Sequence, residues 1–393
     1  GLNRVDQHFE ALTDGLIATL RDLGDDVTAD WIEQVVRSEA GDVVDPPPDN
    51  GVQAISLLLQ NLNLSEECAA NETRIRRESE IAPDVEPGLW GNGFRRCRDA
   101  GLGPGELLPA LAQTRCTAVF TKHPTEAKRW PVLGMHRELY RLLQERDLPG
   151  VSTKQNTEQT RAVIERLWRT GEIFLEKPRV EDELTNLLYY LENIFPSSLQ
   201  SLDRRFQRAW QNAWPETPVP PAESRPKLRF GTWVGGDRDG HPLVTAQVTR
   251  QTLKRLRSGA IEVLDQQLES LARALPFTPD FSPAPEPLRA LIGETGTPTP
   301  EPWSAAVEQM RRRLPGPGES PGVTPYRHPE ELRDDLLVLS QALRSIRGNR
   351  LVSLHVDPLV RLVEAIGFHL AALDIRQNSA FLNTALAQLM TSA

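Results

Sequence analysis

Three separated stretches hold residues whose types and spacing suit chemistry on anions. The first is His123, which Pro124 follows. Proline biases the residue before it away from helical geometry and itself suits the first position of a helix, so the imidazole is expected at a helix start. Free backbone N–H groups there favour anions, and Glu126 is spaced to reach back to the cap as in a capping box. Lys122, Lys128 and Arg129 add positive charge nearby. A purely structural histidine fits the same position, and a metal role lacks a second histidine three or four residues away.

The second stretch is the loop Gly235-Gly236-Asp237-Arg238-Asp239-Gly240. It matches neither the dinucleotide pattern G-x-G-x-x-G nor a P-loop, which would need lysine followed by serine or threonine. The glycines suit a tight turn. Arg238 between two aspartates also suits an anion holder, because a guanidinium is costly to bury without partners. In the third stretch Arg376 follows Asp374 at the end of an apolar run, where it either closes the strand end as an ion pair or serves a site.

The elements that must position these groups repeat one form. CTAVFT (116–121), KLRFGTW (227–233) and LAALDI (370–375) read as short strands, each followed by a loop and a helix. Ionisable groups thus sit just past strand carboxyl ends, where βα-barrels place their chemistry. Three units do not close an eight-stranded barrel, so the remaining strands are expected beyond Ala393. The rest reads as helix. Val5, Phe9, Leu12, Leu16, Leu20 and Leu23 predict a first helix stopped by Gly24, and a second is expected over 28–41. Ile55, Leu58, Leu59 and Leu62 predict an apolar face on a third. Thr157 is placed to cap a helix bearing Val163, Ile164, Leu167 and Trp168, and Leu184, Leu187, Leu188 and Leu191 mark the next. Ser379 is placed to cap the last.

The expected fold is mainly α with a few short parallel strands, a partial βα-barrel elaborated with many helices. Four regions are expected: a helical region over 1–110; a helix-rich part of the barrel over 111–275, with the histidine and glycine-loop motifs; a proline-rich linker over 276–329; and a truncated arginine-bearing part over 330–393. The linker has thirteen prolines among its fifty-four residues and room for one short helix, 303–314.

A net charge of −9 over 393 residues argues against general affinity for nucleic acid. No apolar run reaches the roughly 20 residues of a membrane span. Cys68, Cys97 and Cys116 stand far apart without metal or redox spacing, so reduced thiols and a cytoplasmic location are expected. A start without methionine suggests a fragment.

Taken together, FTKHPTEA (120–127), FGTWVGGDRDGHP (230–242) and LDIRQNS (373–379) resemble the amino-terminal signatures of phosphoenolpyruvate carboxylase, in that family's order and at similar separations. LWRTGEI (167–173) and YLEN (190–193) support the resemblance. Lys122 stands where the family usually has a small residue, and His241 where it usually has asparagine. The resemblance implies formation of oxaloacetate and phosphate from phosphoenolpyruvate and bicarbonate, an anaplerotic reaction feeding the tricarboxylic acid cycle. It implies Mg2+ or Mn2+ with ligands outside this chain, a homo-oligomer (a tetramer in the family), and a carboxyl-terminal remainder without which this fragment is inactive. His123 would handle carboxyphosphate and Arg376 would hold phosphate or carboxylate. Arg238, with Asp237, Asp239 and Arg129, would shape the anion-binding rim. Two other readings are a non-catalytic relative that binds anionic metabolites or a partner protein, motivated by Lys122 and His241, and phosphoryl transfer through His123.

Overall fold

The computed structural model describes residues 2–39, 42–78, 86–120, 130–170, 179–239, 243–293, 299–316 and 322–392. In chain order the elements begin with α1 (Leu2–Asp22), α2 (Asp26–Arg37), α3 (Gly51–Arg76), α4 (Trp90–Asp99), α5 (Pro104–Gln113) and β1 (Arg115–Phe120). Next come α6 (Trp130–Glu145), α7 (Thr153–Thr170), α8 (Val180–Tyr189), α9 (Phe195–Ala213), β2 (Lys227–Thr232) and α10 (Ala246–Ala274). The chain continues through α11 (Glu286–Ile292), α12 (Pro302–Arg312), α13 (Pro329–Ser345), α14 (Asn349–Leu351), α15 (Asp357–Ile366), β3 (Ala372–Leu373) and α16 (Ser379–Ser392). Helix dominates, as the apolar spacing predicts, and no described helix is long and apolar enough to cross a membrane.

Two compact units form, one from Gly1–Glu86 with Pro124–Pro178 and the other from Pro87–His123 with Arg179–Ala393. In the first, α1, α2, α3, α6 and α7 bury Leu12, Leu16, Leu20, Ile32, Leu139 and Ile164 in one apolar core. Gly24 ends the turn after α1 at φ +78°, a conformation that favours glycine. Asp25 then caps α2 by accepting from the Thr28 amide at 3.2 Å, and that helix stops at Arg37 rather than 41. The α3 face is rotated from its expected phase. Ala54, Leu57, Leu58, Asn61, Leu64, Ser65 and Cys68 are buried there, whereas Ile55 and Leu59 are exposed. Leu57-Leu58-Leu59 gives apolar residues to both candidate faces, and the small residues below them decide which face packs.

In the second unit, β1, β2 and β3 make one parallel sheet in that order. Arg115 through Phe120 pair in register with Lys227 through Thr232, and Gly231 and Thr232 pair with Ala372 and Leu373. Parallel neighbours need crossovers, which the intervening helices supply. Phe120, Phe195 and Phe230 meet on the core side, with centroids 4.5 Å apart for the first two and 4.8 Å for the last two. The proline-rich stretch carries two helices, α11 and α12, where one was expected. Both have proline in the first turn, which a helix tolerates, and fully buried Trp303 anchors the second to the core.

Candidate anion site at the arginine loops

Strand β2 ends at Thr232, and the chain turns at once. The amides of Gly236 and Asp237 donate to the Trp233 carbonyl at 2.8 and 3.0 Å. Gly235 adopts φ +81°, and a Cβ there would overlap Thr252 of α10; a Cβ on Gly236 would overlap the Asp374 carbonyl. Both positions therefore need glycine for space, and Gly235 for its backbone angle as well. This close approach lets the segment after β3 pair beyond the sheet. The Asp374 amide donates to the Thr232 carbonyl at 2.8 Å, the Arg376 amide to the Gly236 carbonyl at 3.0 Å, and the Arg238 amide to the Arg376 carbonyl at 3.0 Å. Asp237 and Arg376 thus stand across a parallel bridge.

The two guanidiniums have different surroundings. Arg238 is half-buried and donates from Nη2 to Thr249 Oγ1 at 3.3 Å, while its buried Nε has no acceptor among the described residues. Thr249 in turn donates to the Gly235 carbonyl at 2.9 Å, so one hydroxyl ties the loop to α10. The Arg376 guanidinium lies 4.0 Å over the Trp233 ring, and its nearest carboxylate, Asp374, is 4.0 Å away. Stacking fixes the plane of the guanidinium while leaving its donor edges open to a carboxylate or phosphate.

Among the sequence-predicted residues, the structure brings Asp237, Arg238 and Arg376 together, with Asp239 exposed on the same loop. His123 and Arg129, with Lys122 and His241, lie outside the described residues. Phe120 pairs with Thr232, so the chain leading to His123 leaves the sheet at the same end as the glycine loop. Sequence reasoning gave Trp233 and Thr249 no role. An aromatic directly after a strand and before a glycine pair was a usable signal for Trp233; nothing local marks Thr249, one turn into α10. A cavity of about 430 Å3 opens instead against Lys227 and Arg229, at the amino end of β2, and neither Arg238 nor Arg376 lines it. Among the described residues, no carboxylate trio gathers at the arginine loops, so they do not fit a divalent-ion site by themselves.

Fold and loops together define a mainly helical protein with a small parallel three-stranded sheet whose strand-end segments carry Arg238 and Arg376. The profile of the family Phosphoenolpyruvate carboxylase matches residues 43–393. A relative from Chromobacterium violaceum named phosphoenolpyruvate carboxylase is 31% identical over 360 residues, covering 87% of this chain and 39% of its own length. Relatives of the same name from Roseiflexus castenholzii and Methylorubrum extorquens are 30% and 29% identical, covering 87% and 84% of this chain. The chain belongs to the phosphoenolpyruvate carboxylase family, and it spans about 39% of the length of the first two relatives.

Proposed function

We propose that this chain is the amino-terminal part of a phosphoenolpyruvate carboxylase and supplies the anion-handling side of its active site. The observation that supports this reading is the backbone ladder joining the segments that carry Arg238 and Arg376, past the carboxyl ends of the parallel strands. In the proposed reaction bicarbonate attacks the phosphorus of phosphoenolpyruvate, giving carboxyphosphate and the enolate of pyruvate. Carboxyphosphate releases carbon dioxide and phosphate, and the enolate carbon attacks carbon dioxide to give oxaloacetate. Every species but carbon dioxide is anionic, so fixed cations aimed at the developing charge are the main requirement.

Arg376, held flat on Trp233, would bind phosphate or carboxylate. Arg238 would form the rim, with Asp237 and Asp239 setting its orientation and Arg129 adding charge. His123 would accept the bicarbonate proton. A divalent ion, Mg2+ or Mn2+, would neutralise substrate charge from ligands elsewhere in the complete protein. The three strands would be the first part of a βα-barrel completed by further chain, in a cytoplasmic homo-oligomer. The exposure of Val119 on the sheet is in keeping with a further layer, since parallel sheets are ordinarily covered on both faces.

The test is oxaloacetate formation by the complete reading frame carrying His123→Asn. Loss of general acid–base help is expected to lower the rate by about 100- to 10,000-fold. The isolated 393-residue chain is expected to make none. An unchanged rate in the variant, with folding verified by circular dichroism, would return His123 to a structural role. A complete protein that binds phosphoenolpyruvate but never carboxylates it would favour the non-catalytic relative.

A further inference from the structure

We propose that His8, Cys68 and Glu72 form a binding site for a divalent transition ion of the zinc and cobalt class, joining α1 to α3. The site lies within the first unit and is independent of the proposed carboxylase chemistry. Cys68 and Glu72 stand four residues apart on one face of α3, and His8 reaches them from α1. His8 Nε2 is 3.0 Å from Glu72 Oε1, Cys68 Sγ is 3.8 Å from the same oxygen, and all three donor atoms lie within 4.8 Å of one another. Ordinary zinc bond lengths at tetrahedral angles put nitrogen and oxygen about 3.3 Å apart and sulfur and oxygen about 3.6 Å apart. Two of the three separations therefore need adjustments of only a few tenths of an ångström.

The chemistry of the set points the same way. Imidazole, thiol and carboxylate together suit zinc or cobalt far better than magnesium or calcium, which prefer oxygen ligands throughout. His8 and Cys68 are 1% and 0% exposed, so an ion held there would be shielded from water on that side. Glu72 Oε1 faces both His8 Nε2 and Cys68 Sγ, so the three donor atoms converge on one point between α1 and α3.

An incoming ion would displace the thiol proton to solvent, and the imidazole proton would move from Nε2 to Nδ1. Thiolate, carboxylate and ion sum to zero charge. Arg4 donates from Nε to the other carboxylate oxygen, Oε2, at 2.7 Å and from Nη2 to Asp147 at 2.6 Å, contacts it can keep, while its longer 3.3 Å bond from Nη2 to Oε1 would give way to the ion. Release of one proton makes affinity rise with pH.

The experiment is a Co2+ titration of the purified chain with its thiols kept reduced, followed by Zn2+ displacement. Thiolate-to-cobalt bands in the near ultraviolet, saturating at one equivalent, are expected. They should be stronger at pH 8 than at pH 6, and Zn2+ should raise the thermal midpoint. Cys68→Ala should abolish the bands, whereas Cys97→Ser with Cys116→Ser should leave them unchanged. His8→Gln keeps the thiol and should weaken Zn2+ binding by at least about tenfold; it serves as the second variant if Cys68→Ala does not fold. Absence of bands in the unaltered chain, their survival in Cys68→Ala, their loss with Cys97 and Cys116, or unaltered affinity in His8→Gln would each overturn the assignment, leaving a hydrogen-bonded triad.

Discussion

Two groups of arginines in the second unit use the same side chain in opposite ways. Arg225 is 2% exposed and its donors are taken: it pairs with Asp203, donates to Asp357 at 3.3 Å and donates through Nε to the Pro220 carbonyl at 2.8 Å. Arg361 closes the same network through Asp203 and Glu364. Arg238 and Arg376 lack such saturation. Among the described residues, one has a buried Nε without an acceptor, and the other rests on an aromatic face with its nearest carboxylate at 4.0 Å. The difference teaches where the fold spends its charge: paired and buried where α9 meets α15, less fully paired among the described residues at the strand ends.

The largest expected effect breaks the saturated side. Arg225→Ala would leave Asp203 and Asp357 buried with a cation missing, and removing one partner of a buried pair costs about 3–5 kcal/mol. Chemical denaturation of the variant should show that loss, with an unchanged slope. A cost under about 1 kcal/mol would mean that water enters the network and that the contrast with the loops is false.

The network also marks the limit of what the sequence discloses. Asp203, Arg225 and Asp357 are far apart in the chain, and no local spacing announces that they meet. The strands were legible because short β-branched and apolar runs precede glycine or polar loops, and their order with their motifs placed Arg238 and Arg376 at one end of the sheet. The phase of α3 was not legible, since the triple leucine serves either face. Nor was the final cap: Asn378, not Ser379, takes the role, its Oδ1 accepting from the Ala380 amide at 2.8 Å. Asparagine and serine are near equals as caps, so position alone could not choose between them. Likewise α7 begins at Thr153, ahead of the expected cap Thr157, because polar residues at an exposed first turn carry no apolar period.

A smaller effect probes the joint between the two loops. Gly236→Ala places a methyl group against the Asp374 carbonyl, so the ladder from Thr232 to Arg376 must shift. Overpacking of this kind costs about 1–3 kcal/mol. Hydrogen exchange should quicken at the Asp374, Arg376 and Arg238 amides while the Arg225 network stays protected. Quickened exchange in both places would merge the two regions into one cooperative unit and remove the distinction.

The smallest stability effect, and the sharpest form of the comparison, belongs to Arg376→Gln. The Arg376 side chain is 46% exposed and makes one stacking contact, and stacking of a cation on an exposed aromatic ring contributes about 0.5–1 kcal/mol. Glutamine retains a flat polar end that can lie over Trp233, so the expected loss in thermal unfolding is at most about 0.5–1 kcal/mol, several times less than for Arg225→Ala. Phosphate or phosphoenolpyruvate binding, followed through Trp233 fluorescence in the complete protein, should weaken by much more than that stability change implies, because charge-assisted hydrogen bonds to an anion contribute about 1.5–3 kcal/mol. A residue that matters little to folding and much to binding is what an unfinished charge predicts. If Arg376→Gln instead unfolded the loop and left anion binding intact, Arg376 would belong with Arg225 among the structural arginines, and the site would have to be sought elsewhere.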